Sequence, residues 1–265
     1  MKKFRKIAVW TGLLAYFILI SGFVSSRREN VLCGEIKVVV SDSAQNKFVA
    51  GRDITLMLER KLHKVLGLPI EEVNTDTIEK IILTNSLIHE CKVYTTSTGS
   101  LTIEINQREP VLRIIDSKGM HYYIDCEGTV LSTSARFTPH LLVANGYIKT
   151  PFETGRLNNI FDSDFEQSAK TLRELFELSN FIQNNTFWNA QIVQLYVNRN
   201  KEYELIPRVG PHIILLGPLQ DYEAKFDKLQ IFYKEGLNQV GWNQYLYINL
   251  KFKDQIVCSK NTIQP

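Results

Sequence analysis

Leu101-Thr102-Ile103-Glu104-Ile105-Asn106 sets apolar and polar side chains in strict alternation, the signature of a strand with one face in a core. Ser97-Thr98-Gly99-Ser100 in front of it reads as a turn. Ile88 to Tyr94 before that reads as the antiparallel partner. Further back, Asn74-Thr75-Asp76 offers side-chain oxygens to cap a short helix carrying Ile78, Ile81 and Ile82. Ile54, Met57, Leu58, Leu62, Val65 and Leu66 recur at helical spacing. Gly67-Leu68-Pro69 is the expected stop, and Asp53 suits the start, where its charge meets the helix dipole. Glu35 to Val40 alternates again, with Ile36, Val38 and Val40 on one face. The order β-α-α-β-β makes a compact α+β unit.

Downstream of Pro110 the pattern changes to short strands. Val111 to Ile115, Met120 to Ile124 and Thr129 to Leu131 are joined by Asp116-Ser117-Lys118-Gly119 and Asp125-Cys126-Glu127-Gly128, a β-meander. His140 to Val143 is one further candidate strand. Ser163 with Glu166 has the spacing of a capping box and opens a helix that Gln183-Asn184-Asn185 closes. Strands are expected at Gln191 to Val197, Tyr203 to Pro207 and His212 to Leu216. A helix follows from Asp221 to Glu235 with Gly236 as its stop. Two last strands, Tyr245 to Phe252 and Gln255 to Cys258, meet at Lys253-Asp254.

Upstream, Met1-Lys2-Lys3-Phe4-Arg5-Lys6 precedes an uncharged run, Ile7 to Val24. Eighteen residues at ~1.5 Å each reach ~27 Å, enough for a hydrocarbon core. Four basic residues lead the run, so the expected orientation is N-terminus in and bulk out. A cleaved signal peptide is the rival reading. Its cleavage site would be Val24-Ser25-Ser26, a poor A-x-A match, so a retained anchor is preferred. The whole chain carries +3 and the first six residues +4, which leaves −1 for the rest. That body has no basic excess for nucleic acid. Four scattered cysteines, Cys33, Cys91, Cys126 and Cys258, match no zinc spacing, and their pairing is open.

No catalytic constellation emerges. The five histidines share no metal-binding spacing, and no nucleophile elbow or phosphate loop occurs. Asp162 and Asp164 are explained by a helix start. Binding is then the expected work. The last strands, at a sheet edge, could accept a partner strand through unpaired backbone groups.

Several local patterns resemble the bacterial FtsQ/DivIB cell-division family. Phe48-Val49 before Asp53-Ile54 is similar to the entry to the first helix of its POTRA domain. Gln107-Arg108-Glu109-Pro110-Val111 resembles its hinge. Tyr123-Ile124-Asp125 with Gly128 resembles the strand and turn that follow. Leu216-Gly217 ahead of Lys225 and Leu229, and Ile248-Asn249-Leu250-Lys251-Phe252, resemble two later motifs, with Asn249 in place of the usual Asp. The Gln-Arg-Glu-Pro-Val-Leu-Arg run looks most like members from the Bacteroidetes.

The resemblance implies an α+β protein with a cytoplasmic stub (1–6), a transmembrane helix (7–24) and a linker (25–34). A POTRA-like β-α-α-β-β domain (35–108), a β-rich domain with two helices (109–260) and a tail (261–265) follow. It implies a non-enzymatic divisome scaffold of the inner membrane, single-pass, with its bulk in the periplasm and localised at the septum. Partners would be membrane-anchored division proteins of the FtsB/FtsL type. No cofactor, metal or small-molecule substrate is implied. By position, Lys251 and Phe252 would be contacts, Lys251 to an acidic partner residue and Phe252 as an apolar anchor. Gln255 and Val257 extend the same edge. The alternatives are a POTRA-type periplasmic chaperone or transport adaptor, and a membrane-anchored envelope enzyme.

Overall fold

The computed structural model describes residues 10–20, 31–41, 47–62, 65–153 and 157–260. Of the expected span 7–24, residues 10–20 form a helix, α1. Residues 7–9 and 21–24, the stub and the tail lie outside the described residues. Among the described residues no helix is long and apolar enough to cross a membrane. The chain divides into two compact units, 1–107 and 108–265.

The first unit runs β1 (Glu35–Val40), α2 (Gly51–Lys61), α3 (Thr75–Ile82), β2 (Ile88–Thr95) and β3 (Ser100–Gln107). The quoted stretch is its central strand: the order is β1-β3-β2, with β1 parallel and β2 antiparallel to β3. Leu101, Ile103 and Ile105 are buried with Ile54, Leu58, Ile78 and Ile82 from the two helices. Burying each such side chain fully is worth roughly 1.5–3 kcal/mol. At α3 the Asn74 side chain accepts from the Thr77 N–H at 2.9 Å, as a cap should. At α2 the Asp53 carboxylate reaches back to the Ala50 N–H at 3.0 Å.

Helix α2 ends at Lys61, short of the expected Gly67. Gly67 and Leu68 are taken instead by the chain leading into β1. Gly67 N–H donates to the Cys33 carbonyl at 2.7 Å, and Cys33 N–H donates to Leu68 at 2.8 Å. Helical periodicity past Lys61 loses to this long-range pairing.

Among its described residues the second unit holds nine strands: β4 (Pro110–Ile115), β5 (His121–Asp125), β6 (Val130–Ser132), β7 (Leu142–Gly146), β8 (Ile192–Val197), β9 (Tyr203–Pro207), β10 (Ile213–Gly217), β11 (Tyr245–Asn249) and β12 (Val257–Lys260). They form one sheet in the order β12-β11-β10-β9-β8-β7-β4-β5-β6. Among the described residues its helices are α4 (Lys170–Asn184), α5 (Thr186–Gln191), α6 (Tyr222–Ile231) and the short α7 (Asn238–Val240), rather than the two expected. A single core joins alternate residues of the strands (Leu112, Ile114, Ala144, Leu195, Leu205, Ile214, Ile248) to Leu172, Leu175, Trp188, Phe226 and Leu229 of the helices. The intervening strand positions, such as Val143, Gln194, Glu204, Ile206, Ile213 and Leu215, are only half-buried.

Three helix boundaries depart from expectation. The Ser163/Glu166 capping box does not form: residues Ser163–Phe165 make one 3-10 turn, and α4 begins at Lys170. The Asp162 carboxylate turns back to the Asn159 N–H at 3.0 Å instead of capping a helix. Asn185, read as a terminator, starts the unforeseen α5 by accepting from the Phe187 and Trp188 N–H groups. Gly236 does not stop α6. It lies in a π-helical turn, Phe232–Leu237, tight against the Phe232 ring, and the helical run continues to Val240.

Candidate functional site

The C-terminal end of the large sheet is built from β10, α6, β11 and β12. β10 and β11 are parallel, so α6 must carry the chain back between them. β12 pairs antiparallel with β11, placing Val257 opposite Asn249 and Cys258 opposite Ile248. Among the described residues no strand lies on the other side of β12. Its outer backbone groups form an open edge.

Lys251, Phe252 and Gln255 are not on strands, contrary to expectation. β11 ends at Asn249 because the Asn249 side chain accepts from the Lys251 N–H at 3.0 Å and turns the chain. An Asp at this position would offer the same acceptor. Leu250 is fully buried, and its N–H donates to Leu215 at 3.0 Å. The loop beyond is pinned by Lys228 of α6, whose ammonium donates to the carbonyls of Phe252 (2.6 Å) and Lys253 (2.9 Å).

Lys251 already holds an acidic partner of its own chain, Glu202, at 3.1 Å. Its stem crosses Gly217, where a Cβ would come within 2.7 Å of the Lys251 Cγ. Phe252 is 46% exposed and Val257 41%. Lys251 and Phe252 line a cleft of ≈ 930 Å³ with Tyr222, Lys225 and Lys228 of α6. Gln255 lines a neighbouring apolar shelf of ≈ 430 Å³ with Ile231, Phe232 and Ile256. Lys251, Phe252 and Gln255 are therefore spread along α6, Lys251 and Phe252 by its first half and Gln255 by its last turn, with Val257 alone on the edge strand itself. Sequence reasoning missed Glu202, Lys228 and the exposed Ile231. Lys228 and Ile231 sit on a helix face that periodicity marks only as solvent-facing.

Burial holds the Lys225 ammonium below its usual pKa, with Asp221 partly offsetting this. Its Nζ donates to the Pro218 carbonyl at 2.6 Å. Burial also raises the Cys258 thiol. All four cysteines are free. No cluster among the described residues groups three or more metal-binding side chains. The cleft thus offers ammonium groups, backbone carbonyls and an exposed aromatic ring, a surface suited to binding a peptide.

The recurring motifs also acquire physical roles. The buried Gln107 side chain accepts from the Val49 N–H at 2.8 Å, fixing the approach to α2. Arg108 donates to the buried Asp125 carboxylate at 2.8 Å. Asp125 in turn accepts from the Glu127 (2.9 Å) and Thr129 (2.7 Å) N–H groups, closing the β5–β6 turn. Gly128 in that turn has φ +82, and a Cβ there would strike the Phe161 ring at 2.6 Å. Asp116 builds the β4–β5 turn in the same way, accepting from the Lys118 and Met120 N–H groups, both at 2.8 Å.

Comparison with known proteins agrees with this anatomy. Residues 31–106 match a POTRA-like domain. The cell-division protein FtsQ of Geotalea daltonii is 26% identical over 163 residues, covering 61% of this chain and 54% of that protein. The matched stretch thus spans about half the length of that relative. Residues 109–259, more than half of the chain, match the family described as FtsQ/DivIB, C-terminal related, and the chain belongs to the FtsQ/DivIB family.

Proposed function

We propose that the protein is a non-enzymatic scaffold of the cell-division machinery. In this reading residues 7–24 anchor it in the inner membrane with its N-terminus in the cytoplasm. The POTRA-like and β-rich units then stand on the outer side, at the septum. Its partners are division proteins of the FtsB/FtsL type, bound partly by strand addition to β12. The observation that carries the binding mode is the open edge of β12 beside an exposed Phe252 and a cleft edged by Lys225, Lys228 and Lys251. Strand addition supplies backbone hydrogen bonds, and the cleft supplies side-chain selectivity. An acidic partner residue would have to displace Glu202 from Lys251. A half-exposed ion pair is worth only about 0–1 kcal/mol, so the exchange costs little. Phe252 then acts as the apolar anchor, with Gln255 and Val257 as flanking contacts.

The test is the double substitution Lys251→Glu with Phe252→Ala in the full chain. Pull-down of the FtsB-type partner should be lost while the unfolding of the second unit is unchanged. Retained pull-down refutes the edge assignment. A fluorescent fusion reports on the wider role: a midcell band is expected, and an even envelope signal contradicts a role in division.

A further inference from the structure

The geometry points to a pH-responsive latch beneath the C-terminal edge, in which protonation of His212 uncouples β10 from the π-helical turn and loosens β11 and β12. His212 is 1% exposed and immediately precedes β10. Its Nε2 lies 2.9 Å from the Tyr233 hydroxyl, on the π-helical turn. Its Nδ1 is buried and makes no well-formed hydrogen bond, although the Trp242 carbonyl is near enough to favour the protonated ring. The backbone presses on that side: a Cβ at Gly210 would lie 2.8 Å from Nδ1.

The two residues joined by this bond each adjoin a support of β11. Ile213, next to His212, pairs with Tyr247 of β11. Phe232, next to Tyr233, packs its ring 6.0 Å from that of Tyr245, the first residue of β11. The surroundings are aromatic. Trp242 stands 6.3 Å from the imidazole and 5.1 Å from Tyr233, and Trp188 of α5 lies 5.7 Å from Tyr233. The groups facing the ring are the Tyr233 hydroxyl, the Trp242 indole and carbonyl, and the turn at Gly210. Among the described residues, burial and the Trp242 backbone are what set its titration.

Burial lowers the His212 pKa from the ordinary imidazole range, with the Trp242 carbonyl offsetting part of the effect. The folded state therefore holds the proton less tightly than the unfolded chain. Stability is level above about pH 6.5, and is lost as pH falls through that value toward the lowered folded pKa. The Tyr233 hydroxyl and the Trp242 carbonyl can each accept from the imidazolium, but burial outweighs them. The charged ring therefore gains by swinging out to water, and that movement breaks the Tyr233 contact without unfolding the sheet. A role in regulating partner binding rests on the proposed docking edge; the latch itself does not.

The test is hydrogen exchange on the full chain in detergent at pH 7.5 and 5.5, corrected for intrinsic rates and with no partner present. Failure of the latch is therefore distinct from failure of the docking assignment. Acid should speed exchange across 232–260 by up to about tenfold per pH unit below about 6.5, leaving 110–132 unchanged. His212→Gln should abolish that response. An unchanged wild type, or an equal response in His212→Gln, overturns the latch. Should that variant not fold, NMR titration of His212 in the wild type decides: a midpoint at or above the ordinary imidazole value overturns it.

Discussion

Arg108→Ala should destabilise the second unit by about 3 kcal/mol, the low end of the range for breaking a buried ion pair. The Arg108 and Asp125 side chains are 11% and 2% exposed, and Nη1 to Oδ2 is 2.8 Å. Removing the guanidinium leaves a carboxylate with almost no solvent. Two features hold the cost at the low end. Asp125 keeps its two backbone donors, from Glu127 and Thr129. The Arg108 Nε is itself buried without a partner, so the pair is not fully satisfied to begin with. Glu127, the second carboxylate on Nη1, is 53% exposed and adds little. At about 2–4 °C per kcal/mol for a unit of this size, the midpoint should fall by roughly 6–12 °C. Tryptophan fluorescence is the assay. Trp188 and Trp242 both belong to the second unit, and residues 31–107 contain no tryptophan. A cycle with Asp125→Asn, which keeps the turn acceptor, isolates the pair. Coupling above about 1.5 kcal/mol is expected; below about 0.5 kcal/mol the ion pair is not what fixes the turn.

Gly217→Ala should cost about 1–2 kcal/mol in denaturant titrations, because φ is +77 and the new methyl meets the Lys251 stem. A cost under about 0.5 kcal/mol would contradict that conformation. For Asp116, burial would raise the carboxyl pKa, but donors from Met120, Thr150 and Lys118 outweigh it and the net shift is downward. The folded carboxyl holds its proton less tightly than the unfolded one. Its stabilisation is thus present above about pH 4 and lost as pH falls through the lowered folded value. Thr150→Val should raise that value in an NMR titration, and an unmoved midpoint would exclude Thr150 as a donor. Thiol reagents should label the exposed Cys126 first. Cys91, buried and pushed up to about 11, should react only on unfolding. Equal rates at the two would contradict the fold.

Strands were the legible part of this chain because their period is local. Glu35–Val40 and the Leu101 to Asn106 run, one residue short of β3 at each end, follow from alternation alone. The failures have tertiary causes. Leu62 to Leu66 keeps helical spacing, yet the segment at 31–33 claims the backbone just beyond it. Asn185 both ends one helix and caps the next, and composition cannot separate those roles. The Ser163/Glu166 spacing was right for a cap, but the backbone makes only a 3-10 turn there. At the candidate site, the position of Lys251 and Phe252 near the last strands was readable. Their departure from the strand depends on the Asn249 side chain, and the neighbours Glu202 and Lys228 are brought in by sheet order and helix packing.

From β7 to β12, order along the chain is also order across the sheet. Each strand therefore joins the outermost position as it is made, and none is inserted between two that already pair. Hairpin connections let β9 and β10 follow β8 quickly. The step from β10 to β11, like that from β7 to β8, is different, because a parallel neighbour requires the connecting helix to be made and packed first, here α6 and the π-helical turn. During that interval Ile213-Ile214-Leu215-Leu216 is an apolar strand with one side unpaired. A slow step in building this sheet thus leaves an adhesive edge open, and the speed at which α6 packs sets how long a nascent chain is vulnerable to misassociation there.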